Sequence, residues 1–313
     1  MSVSLLGLLV ACLLSRLVLS GHEVLYKTVL QADDVKPEEL AVIQFDSRLP
    51  LRSYWNASAH WNAAYCSKWG HQFLFLSMKG DCSHGKLSLA PAWCKVKAMI
   101  EANAMLPRAR AFLYMDSDAF ITVNYSMTDV LAYIRKDLKW NTTAKPLALN
   151  QDGPGWACKN AMKLGYHYCL NSGTLLWLKS KASLMALKTW WDLAAEPYDR
   201  GRFTSKWRQA WPWEQAQLYK VHDAFEDKIM RLSFPDKPFL PWTSKKNPKS
   251  QYPTDYVEPW CFSHWPGANC FITHGAASQN QKLKLMSTYA LDASSSLVTV
   301  KYISRCRTRT GNS

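Results

Sequence analysis

The sequence predicts an α/β protein built on a mainly parallel sheet flanked by helices. Three observations predict it. Short apolar runs alternate with helical stretches of about 10–15 residues, the pattern of successive strand–helix units. The run Ala111-Phe112-Leu113-Tyr114-Met115 is apolar throughout and reads as a buried strand. The chain has 313 residues, 48% hydrophobic and 20% charged, an ordinary globular balance with ample material for a core.

The elements follow in order. Residues 39–45 form a first strand that ends at Asp46. Residues 58–68 have helical spacing, with Trp61, Ala64 and Tyr65 on one face. Residues 72–77 make a second strand. Pro91 opens a helix through Leu106, because a first helical turn does not need the N–H that proline lacks. The strand 111–115 follows, then a helix over 127–136 and strands at 146–150 and 170–178. Helices at 180–194 and 214–225 alternate with short strands at 229–233 and 271–273. The stretches 195–211 and 235–259 are polar, rich in Pro and Trp, and read as long loops. No internal repeat interrupts this order.

The N-terminus sets the compartment. Residues 5–14 are almost wholly apolar, Arg16 breaks the run, and Val18-Leu19-Ser20 offers small residues for cleavage. A cleaved signal peptide and a signal anchor over 4–19 both fit, and both deliver the rest of the chain to the secretory lumen. Residues 21–38 then form a short stem, 39–300 the folded domain and 301–313 a basic tail. Asn56-Ala57-Ser58, Asn124-Tyr125-Ser126 and Asn141-Thr142-Thr143 are N-glycosylation sequons. Of nine Cys, removal of Cys12 in the leader leaves eight, an even number suited to disulfides. Cys158 with Cys169 and Cys261 with Cys270 are the pairs nearest in sequence. The net charge of +14 is spread along the chain with no nucleic-acid-binding module, so it describes a basic surface that suits an anionic substrate. The fifteen Trp serve cores more often than they stack on sugar rings.

The chemistry is concentrated at Asp116-Ser117-Asp118, directly after the apolar run. Two carboxylates one residue apart, where the chain leaves the sheet, can face one divalent cation. In open α/β sheets, ligands bind beyond the carboxyl ends of the strands. Further motifs stand in a fixed order: Trp93-Cys94-Lys95 at a helix start, Asn171-Ser172-Gly173 on a strand, Trp213-Glu214-Gln215 at a helix start, and Thr273-His274-Gly275 late in the chain.

This order resembles the nucleotide-sugar glycosyltransferases of GT-A type, above all the galactosyl-, xylosyl- and mannosyltransferase family of yeast galactomannan and plant xyloglucan synthesis. The likeness spans residues 39–280. Tyr65-Cys66-Ser67-Lys68-Trp69-Gly70-His71 also looks like a segment of that family. The resemblance implies a single Rossmann-like catalytic domain, a nucleotide-diphosphate-sugar donor, a glycan or glycoprotein acceptor, retention at the anomeric carbon, and a Golgi or secreted location. It implies a Mn²⁺ or Mg²⁺ ion held directly by Asp118 and by His274, with Asp116 ligating it through water or holding the ribose, since carboxylate and imidazole ligands suit such ions better than thiolate-preferring ones. Glu214 and Gln215 would face the donor sugar. The family has Asp-Gln there, so this carboxylate is one methylene longer. Asp152, also at a strand end, is a further candidate acid. Asn171 and Gly173 would let the backbone approach the ligand. Lys95 would meet the phosphates, unless it is a solvated helix lysine. The family's late His precedes an aromatic and Gly-Cys, and His274-Gly275-Ala276-Ala277 departs from that.

Two rival readings remain. In a phosphatase of the haloacid dehalogenase type, Asp116 would be a nucleophile and Asp118 a general acid. No Asp-Asp or Gly-Asp pair follows to complete that site. The other rival is a non-catalytic carbohydrate-binding protein on a transferase scaffold, against which the retained Asp116, Asp118 and His274 speak.

Overall fold

The structure, a computed structural model, describes residues 35–49, 51, 53–78, 81–122, 126–137, 139–151, 170–195, 208–209, 214–232, 258–263, 270–274 and 300–303. Its strands are β1 (Leu40–Phe45), β2 (Gln72–Met78), β3 (Ser83–His84), β4 (Leu87–Ser88), β5 (Ala111–Asp116), β6 (Ala119–Ile121), β7 (Leu147–Gln151), β8 (Leu170–Leu178), β9 (Ile229–Leu232), β10 (Glu258–Ser263), β11 (Cys270–His274) and β12 (Val300–Ile303). Its α-helices are α1 (Ser53–Trp69), α2 (Cys94–Met105), α3 (Met127–Asp137), α4 (Lys181–Asp192) and α5 (Gln215–Ala224).

The central sheet has the order β12-β2-β1-β5-β8-β7-β9. All neighbouring pairs are parallel except those of β8, which runs antiparallel to both β5 and β7. Alternate residues of its inner strands enter two different cores, as the period-two geometry of a strand requires. Ile43, Phe112, Tyr114 and Trp177 face one core, which α2, α4 and α5 complete with Val96, Met99, Leu187, Trp190 and Leu218. Val42, Leu113, Met115 and Leu176 face the other, beside Tyr65 of α1 and Val130, Leu131 and Ile134 of α3. Both faces are covered, which is why these strands read as unbroken apolar runs. Phe112 and Trp177 are opposite in register and stack with ring centroids 4.9 Å apart. Of the described Trp, residues 61, 93, 140, 177, 190 and 191 are buried, so the core reading holds for them.

Several elements depart from the sequence reading. α1 begins at Ser53, which brings Tyr54 and Trp55 into the helix. β6 follows β5 after a turn at Ser117-Asp118 and pairs with β11, next to which lies β10, at the end of the segment expected as a loop. β12 joins β2 in the central sheet, so the sheet runs into the segment set aside as a basic tail. The Cys82–Cys94 disulfide was not foreseen: it ties the β3–β4 hairpin to the first residue of α2. Cys66 lies buried and unbridged within α1, which departs from the even pairing of eight cysteines. Cys158 and Cys169, the side chains of Cys261 and Cys270, the leader, and Asn124 and Tyr125 of the second sequon lie outside the described residues. No described helix is long and apolar enough to cross a membrane.

His71 joins α1, α3 and the chain before β1. Its Nδ1 lies 3.0 Å from the Pro37 carbonyl, and its Nε2 accepts the Met127 N–H at 3.2 Å. An accepting Nε2 puts the ring hydrogen on Nδ1 in a neutral imidazole.

Two stability predictions follow from these contacts. Burial pushes His71 below its ordinary value, and burial with the nearby Arg231 does the same for His222. The unfolded chain therefore takes up protons that these folded rings resist. Their contribution is complete above the ordinary His value of about 6.5 and is lost as pH falls through the lower folded values. Denaturant midpoints taken from about pH 8 down to about pH 5 should fall on the acid side, and His71→Asn should flatten that slope. Reduction of Cys82–Cys94, with residues 12 apart in sequence, frees a short loop. Loop entropy then costs about 3 kcal/mol, so melting with reductant should occur roughly 5–10 °C lower.

Candidate active site

The carboxyl ends of β1 and β5 lie side by side, with Phe45 opposite Asp116. Asp46 therefore sits beside the Asp116–Asp118 turn, and the Ser117 hydroxyl donates to Asp46 Oδ2 at 2.5 Å. Arg48 closes on Asp46 with Nε at 2.9 Å and Nη2 at 2.6 Å, a bidentate geometry that gives the pair a fixed orientation. The guanidinium also stacks over Trp55, 4.0 Å from the ring centroid. Asp46, then Asp118 and Asp116, raise the Arg48 pKa above its ordinary value.

Side chains of β1 and α1 hold the backbone of the turn. Gln44 Nε2 donates to the carbonyls of Asp116 and Ala119, both at 3.1 Å. Ser58 and Asn62 donate to the same Ala119 carbonyl at 2.8 and 3.0 Å, and Asn62 accepts the Ile121 N–H at 3.0 Å. Tyr54 donates its hydroxyl to the Asp118 carbonyl. These polar side chains are buried because each satisfies a backbone group of β6 or its turn, which could not otherwise be desolvated cheaply.

On the other side of β5, the antiparallel direction of β8 is decisive. Met115 pairs with Thr174, so the first residues of β8, Asn171, Ser172 and Gly173, lie at the carboxyl end of β5. α2 contributes Lys95 from its first turn, and α5 contributes Glu214 at its N-cap. Trp190 fixes that cap by donating Nε1 to the Glu214 carbonyl at 2.9 Å.

Lys95 is the meeting point. Its ammonium has three donors, and each has a partner: Asp116 Oδ1 at 3.1 Å, Ser172 Oγ at 3.1 Å and Glu214 Oε1 at 2.7 Å. Only 7% of the Lys95 side chain and 2% of the Glu214 side chain are exposed, against 26% for Asp116. Lys95 is thus a buried lysine partnered by two carboxylates and a hydroxyl, not a solvated helix lysine. Burial alone would lower its pKa, but Asp116 and Glu214 outweigh burial and raise it. Burial raises Glu214, with Lys95 and Ser172 acting against it. Ser172 lies 2.8 Å from Glu214 Oε1, and Tyr114 donates to Asp116 Oδ1 at 2.8 Å. Glu214 Oε2 is buried without a hydrogen-bond partner.

The structure brings together Asp116, Lys95 and Glu214 from the sequence reading, with Asp118 on the adjoining turn. Gln215 is half-buried and turns its amide to β8, donating to the Leu170 carbonyl at 2.9 Å with Oε1 3.3 Å from Ser172. Asn171 accepts the Gly173 N–H at 2.7 Å, which shapes the start of β8. The backbone of His274 is opposite Ala119, so the topology brings the late histidine beside Asp118. The side chain of His274, and all of Asp152, lie outside the described residues. Among the described residues, no three His, Cys, Asp or Glu side chains form a ready-made metal cluster. Asp46, Arg48, Trp55, Tyr114 and Ser172 were missed by the sequence reading. The only signal for Ser172 was its place inside the Asn-x-Gly motif.

The profile of the galactosyl transferase GMA12/MNN10 family matches residues 42–231, the span from β1 to β9 that carries this site. The chain belongs to that family and is a glycosyltransferase. Its mixed α/β architecture, a mostly parallel sheet between helices, is the one expected from the resemblance. Solved structures similar to it include a glycosyltransferase involved in the glycosylation of the major capsid of PBCV-1, at 14% identity over 78% of this chain and 98% of that chain, with TM-score 0.49. Mouse xyloside xylosyltransferase 1 is similar at 10% identity over 62% of this chain and 85% of that one, with TM-score 0.38. The catalytic domain of Drosophila beta1,4galactosyltransferase 7 is similar at 12% identity over 62% and 64%, with TM-score 0.33. A search of curated proteins gives no match.

Removing Lys95 strands two carboxylates. Lys95→Met should lower stability by about 3–5 kcal/mol in chemical denaturation. Adding Glu214→Gln should recover part of that loss. Wild-type stability in the single variant would refute the buried-pair reading.

Proposed function

We propose that this glycosyltransferase is dependent on a divalent metal ion and moves a hexose or pentose from a nucleotide-diphosphate sugar to a glycan or glycoprotein acceptor, with retention, in the secretory pathway. The observation that carries the metal dependence is the charge balance at the carboxyl end of the sheet. Among the described residues, four carboxylates, Asp46, Asp116, Asp118 and Glu214, meet two cations, Arg48 and Lys95, a formal surplus of two negative charges within that set. An anionic diphosphate is repelled by such a site unless a cation stands between them. The surplus equals the charge of one divalent ion, and carboxylate oxygens from Asp116 and Asp118 with an imidazole from His274 fit Mn²⁺ or Mg²⁺. When bound, that ion would supply neutralisation of the charge that builds on the departing diphosphate.

The chain's own groups do the rest. Tyr114 and Lys95 both bind Asp116 Oδ1, which fixes the orientation of that carboxylate. Arg48, over half exposed above Trp55, offers its open side to an outgoing phosphate. Glu214 Oε2 has no partner of its own and is placed to accept a donor-sugar hydroxyl or to stabilise positive charge at the anomeric carbon. Retention rests on the family likeness. The apolar leader over 4–19, whether cleaved as a signal peptide or kept as an anchor, the sequons and the Cys82–Cys94 bridge support a luminal setting, Golgi or secreted.

The test is donor hydrolysis by purified protein with Mn²⁺ and a panel of UDP-glucose, UDP-galactose, UDP-xylose and GDP-mannose. Nucleoside diphosphate should be released from at least one, and EDTA should stop it. Asp118→Ala should reduce the rate by about 100-fold or more. Full activity in that variant would sink the metal assignment. Cleavage of simple phosphate esters instead would favour the phosphatase alternative, and binding without turnover the lectin-like one.

A further inference from the structure

We propose that Ser172 is a positioning residue for the transfer, holding Glu214 so that its Oε2, rather than Oε1, is presented to the donor sugar. The inference rests on the function proposed above and names a residue through which that site works.

Ser172 is 2% exposed and lies within a strand that is buried along its whole length. A hydroxyl there is costly unless bonded, and this one is fully engaged. It accepts a hydrogen bond from Lys95 Nζ at 3.1 Å and has two acceptors within reach, Glu214 Oε1 at 2.8 Å and Gln215 Oε1 at 3.3 Å. A hydroxyl has one hydrogen, and the shorter contact to an ionised oxygen is the stronger. Ser172 therefore donates to Glu214.

The consequence is an asymmetric carboxylate. Lys95 at 2.7 Å and Ser172 at 2.8 Å both bind Oε1, while Oε2 has no partner. Lys95 alone leaves the Glu214 carboxylate free to turn about its last bond, since an ammonium can follow either oxygen. Two donors that converge on Oε1 from different elements, α2 and β8, remove that freedom. Ser172 does so without touching substrate. Misplacement of a reacting geometry by about 1 Å can cost on the order of 100-fold in rate.

The experiment compares Ser172→Ala and Ser172→Thr with wild type, using whichever donor of the panel the wild type hydrolyses. Three measurements are needed: kcat and KM for donor hydrolysis, the Kd of the released nucleoside diphosphate with Mn²⁺, and the melting temperature. Ser172→Ala should lose about 10–100-fold in kcat with KM and Kd within about threefold, because Asp116 keeps its hydrogen bonds from Tyr114 and Lys95. Its melting should stay within a few degrees of wild type. Ser172→Thr restores the hydroxyl on a β-branched residue suited to a strand and should recover most of kcat. An unchanged kcat in Ser172→Ala overturns the proposal. So does a loss of kcat accompanied by unfolding or by weaker diphosphate binding, which marks a structural role, and so does a failure of Ser172→Thr to restore the rate. If wild type turns over no donor, the function proposed above fails, and the Ser172 proposal falls with it by a separate, visible route.

Discussion

One buried ammonium group governs the geometry at the carboxyl end of this sheet. Lys95 belongs to α2, but its three partners belong to β5, β8 and the start of α5. A lysine charge taken out of water costs several kcal/mol unless its partners are all in place. The four elements are thus held to one another by a requirement that partial assembly cannot meet. The same requirement explains the neighbouring reinforcements. Trp190 pins the α5 cap, Tyr219 accepts the Leu170 N–H at the head of β8, and Cys82–Cys94 anchors the residue just before Lys95.

The opposite wall of the site obeys a different rule. There the Asp116–Asp118 turn is held through its backbone by Gln44, Ser58 and Asn62, all buried. The side chains of the two aspartates take no part in that clamp, which grips the turn and the start of β6 through backbone carbonyls. Backbone fixed by one set of residues and carboxylates offered by another is a division of labour suited to a site that must bind a charged ligand without collapsing on itself.

Much of the fold was legible because the inner strands are apolar on both faces and longer than their punctuation. β1, β2, β5, β7 and β8 and the five α-helices of the described residues lie close to the positions read from the sequence. β6 has three residues and β3 and β4 two each, too few for any period to register. β12 has four residues directly before the basic run that starts at Arg305, and was set aside with it. The direction of β8 could not be read at all, because an unbroken apolar run is the same forwards and backwards. In the site, Asp116, Lys95 and Glu214 were legible as parts of motifs, but the role of Lys95 was not. Its partners lie 21 to 77 positions away for Asp116 and Ser172, and burial at that range leaves no local trace. The roles of Ser172 and Asp46 were hidden for the same reason, with partners 77 and 71 positions away, whereas Tyr114, two residues from Asp116, read only as part of an apolar strand.

Ser58 has a second allegiance. It is the hydroxyl residue of the Asn56-Ala57-Ser58 sequon, and in the folded protein it is fully buried with its Oγ on the Ala119 carbonyl, while Asn56 stays exposed on α1. Oligosaccharide transfer reads the asparagine and the hydroxyl together, so the acceptor sequence exists only while α1 is still undocked. In a chain that passes through a glycosylating lumen, a glycan at Asn56 would therefore show that modification came before the Ser58–Ala119 contact closed.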